Sequence, residues 1–124
     1  MDFVSKISKV LRTNSELACN QIQRGNPTPT SLVGKAILKL ISTNEHVGIM
    51  NVVSSNSATR LEYIEEISKT INPDCHVYGA TSYFRTAEVS ANEAADNSKL
   101  TKFLGENIED WRLSLNRALK ERRN

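Results

Sequence analysis

Residues 23–30, Gln23-Arg24-Gly25-Asn26-Pro27-Thr28-Pro29-Thr30, constrain this chain most, because they hold two of its three prolines and one of its five glycines. Proline fixes φ and donates no backbone hydrogen bond. It also drives the residue before it, here Asn26 and Thr28, towards extended geometry. Gly25 permits a turn with positive φ. A strand-like run, residues 17–22, precedes the stretch, and the best helical pattern of the chain, residues 32–41, follows it. The stretch therefore reads as a stiff corner that presents Gln23, Arg24, Asn26 and Thr28. Local sequence alone favours a rigid connecting loop over a binding loop.

On either side of this corner the apolar periodicity alternates between helix and strand. Phe3 or Val4, Ile7 and Val10-Leu11 make a helical stripe over residues 2–12, which Thr13-Asn14-Ser15 ends. After the corner, Thr30 or Ser31 can cap a helix. Leu32, Val33, Ala36, Ile37, Leu40 and Ile41 then share one face. Lys35 and Lys39 fall outside that face and read as solvated. Gly34 weakens this helix, by up to ~1 kcal/mol relative to alanine, and close backbone approach would explain it. Residues 47–53 are rich in β-branched residues and carry no charge, the clearest strand signal. Ser54-Ser55-Asn56-Ser57 is turn chemistry. Thr59 and Glu62 have capping-box spacing ahead of a helix carrying Leu61, Ile64, Ile67 and Ile71. Asn72-Pro73-Asp74 stops it, and residues 75–78 read as a short strand. Residues 81–95 have no period. Asp96 or Asn97 caps a brief helix that Gly105 ends. Asn107 with Asp110 opens a last helix with Ile108, Trp111, Leu115, Ala118 and Leu119 inward and Lys120, Arg122 and Arg123 at its C-terminal end.

The expectation is one α/β (α+β) domain over residues 1–124, with about five helices and three or four short strands. A formal charge of +2 is too small to argue for nucleic acid. No run of residues is long enough to span a membrane, and the N-terminus lacks the pattern of a signal peptide. Cys19 and Cys75 have no partners at metal spacing and read as reduced thiols, so a cytoplasmic protein is expected. Trp111 sits on a helical apolar stripe and reads as core rather than as a stacking platform.

Five short motifs occur in an order that resembles a known family. They are Gln23-Arg24-Gly25-Asn26-Pro27-Thr28, Ala36-Ile37-Leu38-Lys39-Leu40-Ile41, Gly48-Ile49-Met50-Asn51-Val52, Asp96-Asn97-Ser98-Lys99-Leu100 and Asp110-Trp111-Arg112. Together they resemble the C-terminal half of the extended short-chain dehydrogenases/reductases, in the dTDP-4-dehydrorhamnose reductase branch. That half closes over a nucleotide-linked sugar while a Rossmann half holds the cofactor. The resemblance implies ligand contacts at Gln23, Arg24, Asn26 and Thr28, and at Arg85 and Asn92 in the irregular stretch. Relatives carry an Arg-Pro pair shortly before the Asp-x-Ser-Lys-Leu motif, whereas this chain reads Glu88-Val89-Ser90-Ala91-Asn92 there.

The chemistry of the cofactor half is missing from the sequence. The glycines, at 25, 34, 48, 79 and 105, form no dinucleotide-binding turn. Four residues after Tyr63, Tyr78 and Tyr83 stand Ile67, Ser82 and Ala87, so no Tyr-x-x-x-Lys pair exists. His46 and His76 read as surface or structural residues, and Glu62, Glu65, Glu66 and Lys69 as the solvated face of a helix. No cofactor is expected, and no oxidoreductase activity from this chain by itself. Two readings remain: a stand-alone binding domain for a sugar or nucleotide sugar, or a non-catalytic subunit that docks on a separately encoded Rossmann-type enzyme. The apolar face of residues 32–41 would lie against the cofactor domain in the resembled enzymes. Here another chain is expected to cover it, most simply a second copy in a twofold dimer, with a separate protein as the alternative.

Overall fold

In the computed structural model, residues 2–44, 48–81 and 88–122 are described. They form five helices and four short strands in the order α1 (Phe3–Thr13), β1 (Glu16–Asn20), β2 (Arg24–Gly25), α2 (Thr30–Ser42), β3 (Ala58–Thr59), α3 (Arg60–Ile71), β4 (His76–Ala80), α4 (Ser98–Leu104) and α5 (Trp111–Glu121). The strands form two separate pairs. β1 runs parallel to β4 with Glu16 opposite His76, and β2 runs antiparallel to β3 with Arg24 opposite Thr59. This is the mixed α/β class that the sequence implies.

Most of the core lies around α3. Leu11 of α1, Cys19 of β1, Ile64 and Ile67 of α3, and Trp111, Leu115 and Leu119 of α5 bury their side chains together. Trp111 is only 1% exposed, so it is core. Tyr63 meets its ring edge-on at 5.4 Å, within the range where aromatic pairs attract beyond simple burial. A second, smaller cluster joins α2 to α4 through Ala36, Leu100 and Ile108. Both cysteines are free and buried, and burial pushes the Cys19 thiol up to about 11.

Caps fix the element ends. Thr59 Oγ1 accepts from the Glu62 N–H at 3.1 Å, and a Glu62 carboxylate oxygen accepts from the Thr59 N–H at 2.7 Å, completing the expected capping box. Gly105 closes α4 in the left-handed region at φ 71°. Asp2 caps α1 by accepting from the Ser5 N–H, and its carboxylate also pairs with Arg122 at 3.1 Å, so the start of α1 is tied to the end of α5.

Several local expectations fail. Residues 48–53 form no strand, and Val47 lies outside the described residues. β-branched residues favour extended backbone, but a strand also needs a neighbour, and side chains take the carbonyls instead. Lys99 Nζ donates to the Ile49 carbonyl at 2.6 Å, and Asn97 Nδ2 donates to the Val53 carbonyl at 3.2 Å. Gly25 lies in β2 without positive φ; among the described residues the left-handed positions are Gly48, Gly105 and Asn56. Neither Thr30 nor Ser31 caps α2, because Pro29 occupies the cap position and offers no side-chain acceptor. A Cβ at Gly34 would have nothing within 4 Å, so no close approach explains this glycine. Lys35 is exposed as expected and pairs with Glu106 at the surface, whereas Lys39 is partly covered, with its Nζ over the Phe103 ring. α5 begins at Trp111 with Asp110 as its cap, leaving Ile108 to the smaller cluster. Glu66 is largely covered and accepts from Asn116 Nδ2 at 3.0 Å.

The apolar face of α2 is mostly uncovered. Only Ala36 is buried, while Val33, Ile37 and Ile41 recur along one side of the helix and Ile41 is 78% exposed.

Candidate functional site

The corner folds as a short strand followed by a proline-stiffened entry into α2. β2 lies between two neighbours. On one side it pairs with β3, which leads into α3. On the other, the Arg24 N–H donates to the Ala91 carbonyl and the Glu93 N–H donates to the Arg24 carbonyl, each at 2.8 Å. Arg24 therefore faces Asn92 in an isolated parallel bridge. This arrangement brings several distant stretches around one cavity of about 410 Å³. Its wall includes Phe3 at the start of α1, Gln23 and Arg24 at the corner, Arg60 and Tyr63 on α3, and Glu93.

Part of this wall is aromatic. The Phe3 and Tyr63 rings stack at 5.6 Å with an interplanar angle of 19°. The Arg60 guanidinium lies over the Phe3 ring, 5.4 Å from its centroid. Burial raises the Tyr63 pKa, so its hydroxyl is a hydrogen-bond donor at neutral pH.

Glu62 anchors the polar part. Arg24 Nη1 donates to Ser57 Oγ at 2.9 Å, and its Nη2 pairs with the Glu62 carboxylate at 3.3 Å. The Thr59 N–H, reinforced by Arg24 against the opposing effect of burial, holds Glu62 below its ordinary pKa and therefore ionised. Gln23 accepts from Arg60 Nε at 3.3 Å.

The six residues that the resemblance implies have different fates. Gln23, Arg24 and Asn26 line the cavity. The Asn26 amide is nevertheless fully used in bracing loops: its Nδ2 donates to the Ser54 and Asn56 carbonyls, each at 3.1 Å, and its Oδ1 accepts from the Ala95 N–H at 2.8 Å. Thr28 lies outside the lining. Its hydroxyl donates to the Asn26 carbonyl and accepts from the Ser54 N–H. Asn92 is exposed and accepts from the Ala94 N–H, shaping a turn. Arg85 lies outside the described residues, as do Tyr83 and His46.

Sequence reasoning missed Phe3, Arg60, Tyr63 and Glu93. Phe3 and Tyr63 look like ordinary members of helical stripes, and nothing local says that two helices present them to one cavity. Arg60 carried a usable signal, since it directly follows a capping threonine and so begins a helix whose first turn faces the corner. Among the described residues, no group of histidine, cysteine, aspartate or glutamate could hold a metal ion. No helix among them is long and apolar enough to cross a membrane.

Stacked aromatic rings, two guanidinium groups and side-chain amides thus line one moderate cavity, the mix of apolar and fixed polar groups typical of small-molecule sites. The whole chain, residues 1–124, matches the RmlD substrate binding domain, and it belongs to that family. Solved structures similar to it include two reductases. One is a dTDP-4-dehydrorhamnose reductase of Clostridium acetobutylicum, 21% identical with a TM-score of 0.91, covering 100% of this chain and 45% of that one. The other is a dTDP-4-dehydrorhamnose reductase of Bacillus anthracis in complex with NADP, 20% identical with a TM-score of 0.83, covering 98% of this chain and 43% of that one. The chain thus spans less than half the length of these reductases. No curated protein matches it.

Proposed function

We propose that this chain binds a nucleotide sugar in the corner cavity and is not an oxidoreductase by itself. The observation that carries the reading is the cavity wall, where a stacked aromatic pair adjoins two guanidinium groups and a carboxamide. Rings stack on such a wall, and sugar hydroxyls and phosphates need donors fixed in space. The likeness to reductases named for a dTDP-linked sugar supports the same ligand class. The missing dinucleotide turn and the missing Tyr-x-x-x-Lys pair support the absence of hydride chemistry. Two free, buried thiols fit a reducing compartment, so we read the protein as cytoplasmic.

A thermal-shift series with dTDP-glucose, UDP-glucose, glucose and NADPH tests the proposal. A ligand at 100 times its Kd stabilises the folded state by about 2.7 kcal/mol. The expected result is a saturable rise with a nucleotide sugar and none with NADPH. A rise with NADPH alone would refute it.

The uncovered side of α2 favours a second reading that is compatible with the first. Val33, Ile37 and Ile41 in water would be unusual for a face of this length. We infer that another chain covers it, a second copy of this protein or a separate Rossmann-type partner.

A further inference from the structure

We propose that Arg60 is the residue that recognises the phosphate-bearing end of the ligand in the corner cavity, an inference that rests on the nucleotide-sugar reading above. Two guanidinium groups line this cavity, and their surroundings differ. Arg24 is engaged on both terminal nitrogens, by Ser57 Oγ at 2.9 Å and by the Glu62 carboxylate at 3.3 Å. Its charge is matched where it stands, and an incoming phosphate would have to displace a carboxylate. Arg60 has no carboxylate partner among the described residues. Among the described residues only its Nε is engaged, donating to Gln23 Oε1 at 3.3 Å. The terminal nitrogens remain as donors, and a phosphate accepts from such a group strongly.

The group is also held in place before any ligand arrives. The backbone N–H of Arg60 donates to the Gln23 carbonyl at 3.2 Å, its Nε donates to the Gln23 side chain, and its guanidinium carbon lies over the Phe3 ring. An arginine anchored at its backbone and at Nε loses little freedom on binding. The other charge on the wall sets a direction. Glu93 lies across β2 from Arg60, with its N–H on the Arg24 carbonyl. A carboxylate repels phosphate and accepts from hydroxyls. The cavity therefore has a phosphate side at Arg60 and a sugar side at Glu93.

Arg60 could instead serve only to hold α3 against Phe3. Calorimetry on the full chain separates the two roles, using dTDP-glucose and the uncharged nucleoside thymidine at low and high salt. Arg60→Gln should weaken dTDP-glucose binding by about 10- to 100-fold. It should also flatten the salt dependence and leave thymidine binding unchanged. Arg60→Lys should recover part of the loss, and it substitutes as the test if the glutamine variant loses its far-ultraviolet signal. Unchanged affinity and salt dependence in Arg60→Gln would overturn the proposal while the nucleotide-sugar reading stands. Equal weakening of both ligands would overturn it in favour of a packing role. Binding of neither ligand by the parent chain would overturn both readings.

Discussion

Asn26→Ala should cost more stability than an ordinary loop substitution. The Asn26 side chain makes three hydrogen bonds, all to backbone groups of two other loops: the carbonyls of Ser54 and Asn56, and the N–H of Ala95. Each such bond contributes about 0.5–1.5 kcal/mol net. The site is partly exposed, so water can replace some of what is lost, which brings the expected cost to about 2–3 kcal/mol. For a domain of this size that corresponds to a fall in Tm of roughly 8–12 °C. Urea unfolding followed by circular dichroism measures it. Asn26→Asp sharpens the test. Aspartate keeps the acceptor for Ala95 but sets a second oxygen against two carbonyls, so its neutral form is favoured in the folded state. Its folded pKa then lies above the unfolded value of about 3.9. The folded state holds more protons, so this variant should regain stability as pH falls from 7 towards 4. A loss below about 0.5 kcal/mol for Asn26→Ala would show that these bonds contribute little beyond what water supplies.

Acid should weaken the parent protein through Glu62. Its folded pKa lies below the unfolded value, so its contribution is complete above the unfolded pKa and disappears as pH falls through the depressed one. Glu62→Gln should flatten the acid limb of a stability–pH curve below about pH 4.3, and an unchanged limb would refute this. Ile37→Glu should convert a self-associating protein to monomer in sedimentation without loss of helical signal. A parent chain already monomeric at high micromolar concentration would exclude the second copy and leave a different partner.

The helices were legible because their evidence is local. The Thr59 and Glu62 spacing, the stripe through Ile64, Ile67 and Ile71, and Gly105 after Leu104 each carry their reason within a few residues. Residues 48–53 misled because strand identity depends on a pairing partner that sequence does not reveal. The true second neighbour of β2 is the irregular stretch at Asn92, which has no strand composition at all. The cavity was half legible for the same reason. Gln23 and Arg24 lie in a recognisable motif, whereas Phe3, Arg60 and Tyr63 become neighbours only when α1 and α3 pack. Asn26 shows the opposite error: the residue type suits a ligand, yet the fold has already engaged every hydrogen-bonding atom of its side chain.

The parallel pairing of β1 with β4 also sets an order of events during synthesis. Glu16 must wait for His76 before the ladder can form, and Leu11 and Cys19 must wait for Trp111, Leu115 and Leu119 before their cluster closes. Contacts so distant along the chain form late and slowly. A ribosome that has made α1 to α3 therefore holds helices that can meet each other but whose side facing α5 is still uncovered, a state prone to association. Residues 111–119 are then the switch from a sticky nascent chain to a folded one, and slowing translation just before them should raise aggregation without changing one residue of the product.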